Sequence, residues 1–126
     1  MSEMSTREIA DKLIGYCRSN DTQTGLTELY DPDAVSVEAM AMPGQESAET
    51  HGVEGIRGKH VWWENTFEVH SSNVDGPYMH GDDRFGVIFQ IDVTNRETSE
   101  RNAMKELGIY HVAGGKIVRE EFFYTM

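Results

Sequence analysis

The chain has 126 residues, 38% of them hydrophobic and 26% charged, which is enough for one globular domain with a real core and too little for two. Its net charge of −11 leaves no basic patch to neutralise phosphates, so nucleic acids and anionic membrane surfaces are not expected partners. The single cysteine excludes an internal disulfide, and no apolar run has the length of a signal peptide or a membrane span, so a cytoplasmic protein is expected.

The chain opens with about five residues expected to fray. Ser5 and Glu8 have the spacing of a capping box, and Ile9, Leu13, Ile14, Tyr16 and Cys17 then recur at helical spacing, predicting a helix over 6–20. Cys17 on that pattern reads as a buried structural thiol. Thr24 is the expected cap of a short second helix through Leu26, Leu29 and Tyr30, ended by Pro32. A strand is predicted over 35–40, a turn at Pro43-Gly44, and a returning polar arm over 45–51. A glycine-rich entry from Gly52 leads to a third helix over about 59–69, whose apolar members include Val61, Trp62, Trp63 and Phe67; Ser71-Ser72-Asn73 closes it. Residues 74–80 predict a bent or edge strand, because Gly76-Pro77 interrupts them.

The last third is the clearest part of the chain. Phe85, Val87, Phe89, Ile91 and Val93 alternate with more polar partners, 104–112 is a second strand-like run, Ala113-Gly114-Gly115-Lys116 is a tight turn, and 117–124 returns as a third strand. Helices first and strands last indicate an α+β layout, an antiparallel sheet wrapped round the three N-terminal-half helices as a cone.

That order, together with YDPDAVSVEA at 30–39, GVEGIRGKHVWW at 52–63 and GGKIVREEFFY at 114–124, resembles the nuclear transport factor 2-like superfamily, and within it the SnoaL-like proteins related to ketosteroid isomerases. The resemblance covers nearly the whole chain as one domain. It implies an α+β roll, a homodimer, and a cone holding an apolar pocket for a small hydrophobic, cyclic or polyketide-like molecule.

Paired as in the isomerases, Val118, Glu120, Phe122 and Tyr124 face inward with Glu106, Gly108, Tyr110 and Val112. A slip of one residue inverts the set. Glu120 is then a carboxylate among Phe122, Tyr124, Tyr110 and Trp62. An apolar setting raises a carboxyl pKa toward the range useful for a general acid or base. The same residue also reads as a structural carboxylate held by a tyrosine. Setting Tyr30 and Asp33-Ala34 on the isomerases' motif brings Glu38 to the place of their proton-abstracting carboxylate; a solvated strand residue is the plainer reading. The resemblance also puts Ile14 and Gly108 where the isomerases carry their two oxyanion donors. Steroid isomerisation is therefore not expected. Arg57, Arg84 and Arg119 do not assemble the Asp-Arg-Asp cluster of limonene epoxide hydrolase.

His80 shares a strand face with Tyr78, and the resemblance to scytalone dehydratases, which use histidine and tyrosine, keeps His80 a catalytic candidate beside a structural reading. Trp62, Tyr78, Phe89, Glu106, Tyr110, Phe122 and Tyr124 are the candidate ligand contacts. No two of the five histidines have metal-ligand spacing, and Gly52, Gly55 and Gly58 lack the spacing of a phosphate loop, so neither metal nor other cofactor is expected. Two functions fit: a small lyase, isomerase, cyclase, dehydratase or hydrolase using Glu120 or Glu38, and a non-catalytic ligand-binding or dimerisation module. Leu107, Ile109, Phe123 and Ile88 form an outward apolar patch that a second copy is expected to cover.

Overall fold

The structure, a computed structural model, describes residues 3–41 and 46–124. Two helices, α1 (Thr6–Arg18) and α2 (Thr22–Leu29), are followed by two strands, β1 (Tyr30–Val37) and β2 (Glu49–His51), and a third helix, α3 (Val53–Thr66). Four long strands follow: β3 (Phe67–His80), β4 (Arg84–Asn95), β5 (Arg101–Ala113) and β6 (Lys116–Phe123). They form one sheet in the order β2-β1-β6-β5-β4-β3. The predicted turn at Pro43-Gly44 lies outside the described residues.

α1 forms where the sequence predicts it. The Ser5 hydroxyl accepts from the Glu8 amide while the Glu8 side chain returns to the Ser5 amide, so two of the helix's unpaired donors are satisfied reciprocally. The helix buries Ile9, Ala10, Leu13 and Ile14, and Met4 packs against the same core instead of fraying.

Several boundaries differ from expectation. α2 starts at Thr22, and the Thr24 hydroxyl donates to Asp21 instead of capping. Tyr30 is already extended and begins β1, so Pro32 lies within a strand. Proline is accommodated because the β1–β6 pairing slips between Tyr30 and Val35, leaving no ladder bond for its missing N–H to break. α3 starts at Val53, six residues early, after Gly52 at a positive φ of 88°. Gly55 sits where a Cβ would come within 2.9 Å of the Thr50 methyl, so the glycines let the helix lie close on β2. Phe67 ends α3 and starts β3; Ser71-Ser72-Asn73 is strand, paired with β4. Gly76-Pro77 falls in a gap in that pairing, on an edge strand as expected.

The sheet is mixed. β1 and β6 run parallel, and every other neighbouring pair is antiparallel. A two-residue alternation reveals a strand but not the direction of its partner, so the sequence could not show this. A second correction concerns Val118. The β5–β6 pairing slips between His111 and Val112, so Val112 faces Ile117 and Val118 becomes the extra residue of a bulge. Ile117, not Val118, is fully buried.

The core lies between α1, α2 and the concave face of the sheet. Ile9, Leu26, Leu29, Ile56, Phe85, Val87 and Ile117 are inaccessible or nearly so. Phe85 and Tyr110 stack with centroids 5.1 Å apart, and Phe122 meets Tyr110 edge-on at 6.2 Å.

Candidate active site

Above those rings the concave face turns polar. Glu120 sits in a cross-strand row, with Ser36 of β1 on one side and Tyr110 of β5 on the other. One step along the same face come Phe122 and Gly108, and Glu106 lies beyond, opposite Phe89. Period-two alternation puts Glu38 two residues on from Ser36.

Glu120 is 1% exposed. It accepts from the Tyr30 hydroxyl and from Ser36. Burial raises its pKa, the two hydrogen bonds and Lys59 pull it back, and Glu38 adds to the rise. Glu120 is thus enclosed by protein groups and tied to Tyr30 and Ser36. Ser36, itself inaccessible, also accepts from the Lys59 ammonium at 2.9 Å. Lys59 then reaches the Glu38 carboxylate at 2.6 Å, and the Tyr124 hydroxyl donates to the other Glu38 oxygen at 3.1 Å. Tyr30, Glu120, Ser36, Lys59, Glu38 and Tyr124 thus form one chain of polar contacts. Burial, then Glu38, pushes the Tyr124 phenol up to about 12, so it stays a donor.

Glu106 differs from both other carboxylates. Burial first, then the charges of Glu38 and Glu120, push its pKa up to about 7, against a smaller pull from Lys59. No hydrogen bond from a described side chain holds it. A carboxyl poised at neutrality and left free of partners has the properties of a general acid or base.

Phe89, Tyr110, Phe122 and Tyr124 therefore lie on or beside this face with Glu106, and Glu38 joins them through Lys59. Three sequence candidates do not. Trp62 is 47% exposed, because α3 turns its Val61–Trp62 side outward, and its ring meets Phe67 edge-on. Tyr78 is 52% exposed and donates to Asp75. His80 is exposed at the end of an edge strand, opposite Arg84. Both are on β3, whose pairing slip at Gly76-Pro77 separates them from the strand's earlier residues. Cys17 is half-buried as a structural thiol, pushed up to about 12 by burial and by Glu120.

Sequence reasoning missed Lys59, Ser36 and Tyr30. A signal existed for Lys59, which stands three residues after the buried Ile56 and four before Trp63, on the helix's inward stripe. A depression of about 210 Å³ opens between the ends of β1 and β6, with Glu38, Phe122 and Tyr124 in its wall. Among the described residues no three His, Cys, Asp or Glu side chains converge to hold a metal ion, and no helix is long and apolar enough to cross a membrane.

Residues 4–124 match a family model described as a SnoaL-like domain. A Mesorhizobium loti protein provisionally described as a SnoaL-like polyketide cyclase is 39% identical, with 96% of this chain and 100% of that chain covered and a TM-score of 0.88. Two further solved structures share the fold at low identity. A nuclear transport factor 2-like protein of Burkholderia thailandensis is 16% identical, covering 97% of this chain and 92% of its own, with a TM-score of 0.79. A Catenulispora acidiphila protein of ketosteroid isomerase-like fold, in complex with trimethylamine, is 17% identical, covering 98% and 88%, with a TM-score of 0.72. No curated protein matches the chain.

Proposed function

The chain belongs to the SnoaL-like domain family, and from that premise we propose that it binds a small cyclic, polyketide-like molecule at the wide end of the cone and transfers a proton within it. Glu106 is the general acid or base. The observation that carries this is a carboxyl held near neutrality, without a hydrogen bond from any described side chain, on the same sheet face as the rings of Phe89 and Phe122. Glu38 is the second carboxylate at the site, and it starts ion-paired to Lys59. The Mesorhizobium relative's description as a cyclase supports the polyketide-like ligand class.

The experiment is hydrogen–deuterium exchange at the α-carbon of 2-tetralone, a neutral bicyclic ketone, followed by NMR in D2O. Wild-type protein is expected to accelerate exchange above buffer, with a rate that rises through about pH 7 as Glu106 ionises. Glu106→Gln is expected to lose about 100-fold or more of that acceleration. Exchange no faster than buffer overturns the proton-transfer reading.

A second reading, a non-catalytic binding module, draws support from Glu38 and Glu120, both of which are engaged by other side chains of the protein. It predicts saturable binding of 2-tetralone without exchange. In either case a homodimer is the proposed assembly, since Leu107 and Phe123 stand exposed side by side on the convex face.

A further inference from the structure

We propose that Lys59 is the oxyanion donor of this site, and that the substrate is accordingly a neutral, enolisable ketone or 1,3-dicarbonyl whose oxygen docks against the Lys59 ammonium. This rests on the proton-transfer reading above and supplies the part that reading lacks. Removing a proton next to a carbonyl places negative charge on oxygen, and that charge needs a preorganised donor. Ile14 and Gly108, which the resemblance to the isomerases sets at their donor positions, have no polar side chain.

The Lys59 ammonium has three N–H donors. One lies on Glu38 at 2.6 Å and one on Ser36 at 2.9 Å; the third meets no acceptor among the described residues. The group is not a loose surface lysine. Ser36 anchors it from a fully buried position, and Ser36 is tied through Glu120 to Tyr30, so the ammonium is fixed by a hydrogen-bond chain across β1 and β6. Its nitrogen stands 6.0 Å from the centre of the Phe122 ring. A flat carbon skeleton resting on Phe122 therefore brings a ring-attached oxygen toward the free N–H.

Gly108 has a part in this. A Cβ there would come within 3.2 Å of Phe122 and 3.3 Å of Phe89. Its absence lets those rings close over the strand between Glu106 and the Lys59 side of the site.

The charges balance. In the resting site the Lys59–Glu38 pair is neutral and Glu106 is the free base. The substrate C–H bond breaks, its proton goes to a Glu106 oxygen, and its electron pair becomes the C=C bond of an enolate. The negative charge moves from Glu106 to the substrate oxygen beside Lys59. Return of the proton to a different carbon completes an isomerisation, and attack of the enolate on a second carbonyl of the same molecule closes a ring. A substrate that brings its own anion is disfavoured, because Glu38 and Glu106 already outnumber the one cation.

The test uses 2-naphthol, whose ionised form resembles a bicyclic enolate and has its own absorption band. Bound to wild-type protein, its apparent pKa is expected to fall below the value in water, so the naphtholate band is present at neutral pH. Lys59→Met is expected to bind 2-naphthol without that band and to lose about 100-fold or more of the 2-tetralone exchange rate. Lys59→Arg, which keeps a cation, is expected to restore the band in part. Glu106→Gln should keep it while losing exchange. Where Lys59→Met does not fold, Lys59→Gln takes its place. Exchange and naphthol ionisation that both survive loss of the ammonium overturn the Lys59 role and leave the proton-transfer reading standing. Wild-type protein that neither exchanges 2-tetralone nor binds 2-naphthol overturns both.

Discussion

The Tyr30 hydroxyl donates to the Glu120 carboxylate across 90 residues of sequence, and both side chains are buried. The bond joins the first strand to the last, and the two strands run parallel beside it. Glu120 also takes the Ser36 hydroxyl, which in turn receives Lys59. Glu120 thereby ties Ser36, and through it Lys59, to the last strand. Of the two readings the sequence leaves open for Glu120, acid–base group or carboxylate held by a tyrosine, the Tyr30 bond fits the second.

Tyr30→Phe removes the hydroxyl and leaves a buried carboxyl with Ser36 as its remaining donor. Losing the partner of a buried group of this kind costs about 1–3 kcal/mol. Burial raises the Glu120 titration, and the cost is expected to be larger on the alkaline side of it than on the acid side, because a protonated carboxyl tolerates the loss better than a carboxylate. Urea unfolding of wild type and variant on both sides measures it. Equal stability on both would mean that the bond contributes nothing.

Glu106 makes stability fall with rising pH. Its carboxyl titrates near 4.5 when unexposed to these effects and about 7 when folded. Below pH 4.5 both states hold the proton and nothing is lost; between 4.5 and 7 the unfolded chain releases it first, so unfolding is favoured progressively. At about 1.4 kcal/mol per pH unit the full loss is on the order of 3 kcal/mol, reduced by partial solvent access. Glu106→Gln is expected to match wild type near pH 4 and to exceed it in stability at pH 8. Carbon-13 NMR of the Glu106 carboxyl gives the midpoint directly, and Lys59→Met should raise it, since Lys59 holds it down. Parallel stability curves for Glu106→Gln and wild type from pH 4 to 8 would make Glu106 an ordinary surface carboxylate.

The strands of the meander were legible because burial on one face imposes a period of two, and Phe85, Val87, Tyr110 and Glu120 fall where alternation places them. Alternation does not report a slip, so Val118 and Ile117 were exchanged. It does not report partner direction either, so the parallel β1–β6 pair was missed. Helix boundaries failed where glycine and proline serve local geometry: Gly52, Gly55 and Gly58 begin or line α3, and Pro32 sits in a pairing gap of β1. At the site, the carboxylates were visible as polar residues on an apolar face. Their partners were not, because Tyr30, Ser36 and Lys59 reach them across 21 to 90 positions of sequence.

Gly108→Ala tests the packing beneath the site. The new methyl would lie 3.0 Å from Tyr110, 3.2 Å from Phe122 and 3.3 Å from Phe89, three rings with little room to yield together. Overpacking of this kind costs about 1–3 kcal/mol. Thermal unfolding should register it, and 2-tetralone binding should weaken because Phe122 is displaced from beneath the ligand. An alanine variant as stable as wild type would show that the rings have slack.

The convex face of the sheet calls for a second copy of the chain. Leu107 and Phe123 are directly opposite on neighbouring strands, 38% and 53% exposed, and Ile109 and Ile88 continue the patch. Beside them Glu121 pairs with His111 at 2.8 Å and with Arg119 at 3.5 Å. A symmetric contact brings the same patch from each protomer together and removes it from water. Sedimentation velocity at micromolar concentration is expected to give twice the 14.3 kDa mass of the chain. Phe123→Glu adds a carboxylate next to Leu107 and within the like-charged neighbourhood of Glu121, so it is expected to yield monomers with unchanged circular dichroism. A wild-type monomer would overturn the dimer. A Phe123→Glu dimer would move the interface to another face, where the exposed Val61 and Trp62 of α3 are the next apolar surface.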